Sequence, residues 1–371
     1  MAVKGIIFIS NVQKALEHEW FVDAVNVKEL ELEFVLFNSK NSELSKFISS
    51  KGFKCKNYSL LSKYFIPFYI IYFFFKLLFK KYDFIHCHLL EASFIGIVAA
   101  KYAGVKKRIH TRHHSDFHHS YFPHAVKWDL IVNHFSTDII AVSKSVAEIL
   151  VEKEHVSKQK LRVILHGIPK SVMESQIPQD EIENMKKKYG IMEFSPIIGV
   201  VSRFTHWKGV QYIIPAFKEL LKEYPKAKLI LANARGEFEK EIKTMLDALP
   251  NRSYVIIEFE NNMPPLFKTF DVFVHAPINK NYEAFGQVYI EALCYGIPMV
   301  CTLSGIGNEL IHNERNALVV PYQNSPDIKL AIERIVSNSE LKSRLVTNGK
   351  MDVQQFNFEE KFNRIKAIYL S

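Results

Sequence analysis

Residues 281–300 read NYEAFGQVYIEALCYGIPMV. Apolar residues recur at helical spacing from Ala284 to Tyr295, and Gly296 with Pro298 supplies a stop. The runs DVFVHAP (271–277) before it and PMVCT (298–302) across its end read as short buried strands. A strand, a helix and a strand in that order predict a parallel sheet with helices on its faces. Within the stretch, Glu283 and Glu291 stand eight positions apart, and Phe285-Gly286 follow the first. Glycine at a helix start lets a phosphate approach the unpaired N–H groups and the positive end of the dipole. On a helix beginning at Ala284, Glu291 lies about two turns in and is rotated roughly 80° from Glu283. One carboxylate would then face a reacting group while the other grips a part of the ligand farther along. Two glutamates on an amphipathic helix are usually a solvated face, so the rest of the chain has to decide.

The same alternation extends in both directions. Strands are expected at GIIFIS (5–10), LEFVLF (32–37), DFIHCH (83–88), KRIHTR (107–112), DIIAVS (138–143) and LRVILHG (161–167). A second series follows at SPIIGVVS, AKLILAN, SYVIIEFE, DVFVHAP, PMVCT and ALVVPY. Between them, residues 169–195 break the rhythm with Pro169, Pro178, a charged run and Gly190. The expected organisation is an N-terminal domain (1–168), a connection (169–195), a C-terminal domain (196–355) and a closing helix (356–371). Each domain is a doubly wound α/β sheet, the two face each other across a cleft, and ligands sit beyond the carboxyl ends of the strands.

A chain of 371 residues suits two such domains, and 48% hydrophobic content can fill both cores. The four cysteines, Cys55, Cys87, Cys294 and Cys301, form no CxxC pair and no metal-ligand spacing. That pattern fits a reducing, cytoplasmic setting. A net charge of +9 points to anionic partners. No zinc finger, RRM-like motif or basic helix accompanies it, which argues against nucleic acid and leaves a nucleotide or an anionic membrane surface. The N-terminal apolar run is too short for a signal peptide and reads as a first strand.

The most apolar segment is YFIPFYIIYFFF (64–75), flanked by Lys63, Lys76, Lys80 and Lys81. Twelve residues cannot span a hydrocarbon core that needs about 20. Pro67 speaks against one continuous buried helix. The segment is either an aromatic-rich core helix or an interfacial one, with lysines meeting acidic lipids. Eight Phe and Tyr in twelve residues favour the second.

After SPIIGVVS come Arg203 and, five positions on, Lys208. Two cations in a strand-to-helix loop can close on a diphosphate from two sides, arginine as a planar fork and lysine as a point charge. VSRFTHWKGVQYIIPAF, EAFGQVYIEALCYGIP and SGIGNELIHNERNALVVPY, in that order, resemble the nucleotide-binding domain of the family 4 glycosyltransferases (glycosyl transferases group 1). The match is strong over residues 196–350 and holds only in outline before them. The family has the GT-B fold and retains anomeric configuration. The resemblance implies that Arg203 and Lys208 hold the donor diphosphate and stabilise the leaving group. It implies that Glu283 contacts the donor sugar, Glu291 the ribose hydroxyls, and the backbone around Phe285, Gly286 and Gln287 the phosphates. Glu309 would support the same loop, or be an ordinary helix-start carboxylate. Thr111-Arg112-His113 matches a T-x-H pattern that places His113, with His114 in reserve, beside the donor sugar.

The implied activity is retaining hexosyl transfer from a UDP- or GDP-sugar to a saccharide or lipid-linked saccharide acceptor, in making a bacterial surface glycan. The expected location is cytoplasmic, and residues 64–81, if interfacial and not core, are the candidate contact with the inner face of the membrane. No cofactor and no metal are expected. Asp-x-Asp occurs nowhere, and His110, His113, His114, His118 and His119 lack a paired-ligand frame. Two departures from the family concern the acceptor side. The loop after the first strand reads Ser10-Asn11-Val12-Gln13, without the usual glycine pair, and the usual Asn-Gly-Ile appears as His166-Gly167-Ile168. A nucleotide-sugar epimerase of the same two-domain architecture is the alternative, with a basic nucleic-acid-binding protein behind it. A phosphorylase-like enzyme lacks support in chain length and in a pyridoxal lysine.

Overall fold

The computed structural model describes residues 2–12, 15–38, 42–60 and 62–371; Gln13 of the first loop lies outside them. The chain divides into two compact units, Met1–Pro169 with Asn357–Ser371, and Lys170–Phe356.

The first unit is built on strands β1 (Val3–Ser10), β2 (Leu30–Phe37), β3 (Lys54–Tyr58), β4 (Phe84–His88), β5 (Lys107–Arg112), β6 (Asp138–Ala141) and β7 (Leu161–Val163). They form one parallel sheet in the order β3-β2-β1-β4-β5-β6-β7. Side-chain alternation on β1 defines its two faces. Ile6 and Phe8 enter a core with Phe73, Leu77 and Ile95, while Ile7 and Ile9 enter another with Val22, Leu44 and Tyr369. Cover on both faces explains why these strands read as unbroken apolar runs. Strand β3, KCKNY, was not expected, because its polar sequence carries no buried-strand signal; it lies at the sheet edge, where such residues are tolerated.

The C-terminal helix Phe358–Leu370 packs on this unit, with Ile365, Ile368 and Tyr369 in its core and the Tyr369 ring 4.1 Å from that of Phe84. Residues 66–80 form one continuous helix. Pro67 falls in its first turn, where a missing N–H costs nothing, so proline starts this helix instead of breaking it. Among the described residues no helix is long and apolar enough to cross a membrane.

The second unit contains β8 (Ile197–Val201), β9 (Lys228–Ala232), β10 (Tyr254–Ile257), β11 (Val272–His275), β12 (Met299–Cys301) and β13 (Leu318–Val319). All are parallel, in the order β10-β9-β8-β11-β12-β13. The helix Gln179–Lys188, within the expected connection, belongs to this unit; Glu260 accepts hydrogen bonds from Lys188 Nζ (2.6 Å) and Tyr189 Oη (2.5 Å). Strand order reverses between β8 and β11, so the crevice beyond their carboxyl ends is the place where a doubly wound sheet takes a ligand.

Candidate functional site

Three loops meet at that end of the second sheet, and backbone bonds fix them to one another. The loop after β8 joins the one after β11 where the Ile278 N–H donates to the Trp207 carbonyl (3.1 Å). The loop after β12 is tied to the stretch after β11 by Gly305 N–H to Lys280 O (3.1 Å) and Ile306 N–H to Phe285 O (2.7 Å). Ser304 completes the tie, accepting from the Glu283 N–H (3.1 Å) and donating to Asn279 O (2.7 Å). Gly209 is where the first loop turns into its helix. Its φ is +73°, and a Cβ there would lie 1.8 Å from the Ala276 carbonyl oxygen.

This framework places Lys208 Nζ directly on Glu283 Oε1, with His275 Nε2 3.2 Å from the same oxygen. Burial alone would raise the Glu283 carboxyl, but the Lys208 ammonium and His275 outweigh it and hold the group well below the usual carboxylate range. Burial holds the His275 imidazole down as well, so it is neutral beside a charged pair. His275 ends strand β11 and its ring stands edge-on to Tyr289 at 4.8 Å. Sequence reasoning passed it over, although it ends its strand as His88 ends β4. Arg203 is exposed and makes no ion pair among the described residues.

The helix that opened the sequence argument spans Gln287–Cys294 and not 284–295. Gly286, at φ +87°, is its N-cap, and its left-handed backbone stops the helix from reaching back to Glu283. Glu283 therefore lies in the preceding loop, and Glu291 is little more than one turn into the helix. The two carboxylates therefore do not share a helix face. The Phe285 side chain is buried and meets the Phe356 ring at 6.0 Å, so it anchors the loop. Gln287 is the first helical residue, where backbone N–H groups lack intrahelical acceptors. Glu291 is half-buried, no cation is paired with it among the described residues, and burial pushes its carboxyl up to about 7. Glu309 is half-buried in the short helix Gly307–Leu310.

His113 belongs to the first unit and sits at the carboxyl edge of its sheet, immediately after β5. Its Nε2 pairs with His88 Nδ1 at 3.0 Å, and its ring stacks on His166 at 5.6 Å. His166 Nδ1 is 2.7 Å from Glu17 Oε1 and 2.9 Å from Lys361 Nζ, which itself bonds Glu17. Burial holds His88, His113 and His166 below the usual imidazole range and His18 at about 4. Glu17 would be raised by burial, yet His166 and Lys361 keep its carboxyl low. Neither Glu17 nor Lys361 carried any sequence signal. They come together because the C-terminal helix packs against the helix Leu16–Ala24, which carries Glu17. The glycine-free first loop is accommodated by Asn11, which takes φ +57° and donates to Glu91 (3.0 Å); asparagine tolerates that region better than most residues.

His114 does not join His113. It belongs to a second, buried network in which Arg112 bonds Glu154 and reaches Asp129 Oδ1 at 2.9 Å, and Asp129 also meets His118 (2.6 Å) and His114 (3.3 Å). His114, His118 and Asp129 have ligand atoms within 4.8 Å, as a metal site needs. Arg112 already occupies the carboxylate, so the donor set suits a hydrogen-bonded ion-pair network better than a dication.

Two parallel α/β units of this topology, with the charged residues at a switch point, make this a GT-B protein. The family profile for Glycosyl transferases group 1 matches residues 181–352, and that for Glycosyltransferase Family 4 matches residues 40–172. An uncharacterized glycosyltransferase of Methanocaldococcus jannaschii is 28% identical over 286 residues, 74% of this chain and 71% of that one. The Escherichia coli UDP-Gal:alpha-D-GlcNAc-diphosphoundecaprenol alpha-1,3-galactosyltransferase is 24% identical over 328 residues, covering 85% and 81%. Among solved structures, Anabaena HepE in complex with UDP and glucose superimposes with a TM-score of 0.84 over 99% of both chains at 16% identity. The chain is a family 4-like glycosyltransferase.

Proposed function

We propose that this enzyme is a retaining, metal-independent hexosyltransferase. It moves a sugar from a UDP- or GDP-sugar to a lipid-linked or polysaccharide acceptor at the cytoplasmic face of a bacterial membrane. The observation that carries this is the pairing of half-buried Lys208 with buried Glu283 at the switch point, in a loop that also carries exposed Arg203, which has no ion pair among the described residues. The name of the Escherichia coli relative supports a lipid-linked acceptor, and HepE with UDP and glucose supports a uridine donor.

In this mechanism Arg203 and Lys208 receive the diphosphate. An ammonium has three donors, so Lys208 can keep Glu283 and still bind a phosphate oxygen. Negative charge develops on the departing phosphate as the glycosidic bond breaks, and these cations stabilise it there. Glu283 stays ionised and accepts from donor-sugar hydroxyls. Glu291, with no cation paired to it among the described residues, accepts from the ribose hydroxyls, while the N–H groups from Phe285 to Gln287 meet the phosphates. Glu309 braces the loop after β12. His113, held neutral, hydrogen-bonds the donor sugar. The acceptor hydroxyl attacks from the face the leaving group vacates and passes its proton to the leaving phosphate.

Lys208→Ala tests the assignment in a transfer assay with purified donor. A fall in kcat of about 10²–10³ is expected on losing one charge-stabilising group. Unchanged transfer would reject the leaving-group role, and inversion of configuration in the product would reject the retaining course.

A further inference from the structure

The helix Ile66–Lys80 is apolar around its whole circumference, but the protein covers only one side of it. Ile66, Phe73 and Leu77 are buried in the first unit's core. At 100° per residue, Phe68, Ile71, Tyr72, Phe75, Leu78 and Phe79 fall within an arc of roughly 120° on the opposite side. All six are exposed, Phe68 by 62% and Phe79 by 76%. Single exposed apolar side chains need no explanation; a continuous stripe of six on one helix does.

Charge indicates what covers it. Between Ser59 and Tyr82 the chain has four lysines and no acidic residue. Lys76 and Lys80 both reach Glu33, Lys80 Nζ at 3.5 Å, while Lys63 and Lys81 are exposed, one at each end of the stripe. A protein partner matched to this face alone would present an apolar groove and gain little from cations at both ends. A bilayer with anionic headgroups offers apolar depth along the stripe and negative charge beside each end. At 1.5 Å per residue the 15-residue helix is about 22 Å long, too short to cross and long enough to lie flat.

We infer that this face of the first unit is an interfacial docking surface for anionic lipid, with the helix axis in the membrane plane and Phe68, Phe75 and Phe79 inserted below the headgroups. The inference stands apart from donor binding, because none of the residues proposed to hold the donor lies on this helix.

Flotation of the full chain with vesicles of phosphatidylcholine alone, and of phosphatidylcholine mixed with phosphatidylglycerol, tests it. The unaltered protein should bind the anionic vesicles and bind the neutral ones weakly. Phe75→Glu with Phe79→Glu should lower that binding at least about tenfold, since each removes inserted apolar area and adds a repelled charge. Lys63→Glu with Lys81→Glu should lower it by about fivefold per lysine, an effect abolished by salt. Both variants alter exposed side chains, and donor-dependent thermal stabilisation should persist in both. Equal binding by the Phe75→Glu/Phe79→Glu variant overturns the inference. So does a dimer of the unaltered chain that this variant converts to monomer, because a second copy would then be what covers the stripe. Loss of donor stabilisation in the unaltered chain would instead count against the glycosyl-transfer mechanism and leave the docking surface intact.

Discussion

Glu291→Gln is expected to stabilise the ligand-free protein while weakening donor binding. Burial lifts this carboxyl from 4.5 to about 7, and no described cation offsets the cost. At about 1.36 kcal/mol per pKa unit, the ionised group costs the folded chain up to about 3 kcal/mol. Water reaching a half-buried site brings the expected gain to about 1–3 kcal/mol. A raised folded-state pKa contributes stability that is complete below 4.5 and lost as pH rises through about 7. Glutamine has no proton to lose, so its advantage should be small near pH 5 and full near pH 8. For a unit of this size, about 2–4 °C per kcal/mol gives a rise of about 2–12 °C in the apparent midpoint at the higher pH. Affinity for the nucleotide moves the other way. Hydrogen bonds from ribose hydroxyls to a carboxylate are worth about 1.5–3 kcal/mol, so Kd should rise by about 10–100-fold. Thermal unfolding at both pH values, paired with calorimetric titration of UDP, measures both effects. A variant that melts no higher than the unaltered protein near pH 8, or gains as much near pH 5, refutes the argument.

Glu283→Gln should cost turnover, about 10²–10³ in kcat, with a much smaller change in donor KM; a pure KM effect would contradict the sugar-side role. Gly209→Ala should destabilise the second unit by about 3 kcal/mol or more in thermal unfolding, because the new Cβ meets the Ala276 carbonyl at a left-handed φ. In the first unit, the low pKa values of His88, His113 and His166 contribute stability present above about 6.5 and lost as pH falls below it, and the low Glu17 value adds a further loss below about 4.5. Circular-dichroism melts should therefore fall steadily from about pH 7 downward, and a flat profile would show that the cluster is solvated. Chelation with EDTA should leave transfer unchanged, and activity restored only by Mg²⁺ would overturn the metal-independent mechanism.

Much of this architecture was legible in the residues because doubly wound sheets bury both faces of their strands. Runs such as GIIFIS and PIIGVV have to be apolar throughout, and the helices between them have to alternate. KCKNY was not legible, since an edge strand needs no apolar pattern. The pairing of Arg203 with Lys208 across one loop could be read from spacing, as could the order of the glycine turns. Their partners could not. His275 and Ser304 reach Glu283 from other strand ends, and Lys361 crosses nearly the whole chain to meet Glu17.

The residues at 281–300 divide along the same line. By itself the sequence determined the strand–helix–strand pattern, the glycine at the turn and the two carboxylates, because periodicity and backbone freedom are local properties. Only the tertiary structure decided that the helix begins after Gly286, that Glu283 is charged through Lys208, and that Glu291 has no cation among the described residues. Likewise, composition made residues 64–81 apolar all round, but packing against β1 and β2 decided which half of that helix is core and which half stands exposed. Charge state and exposure depend on what neighbouring elements bring within a few ångströms, and that information belongs to no single segment.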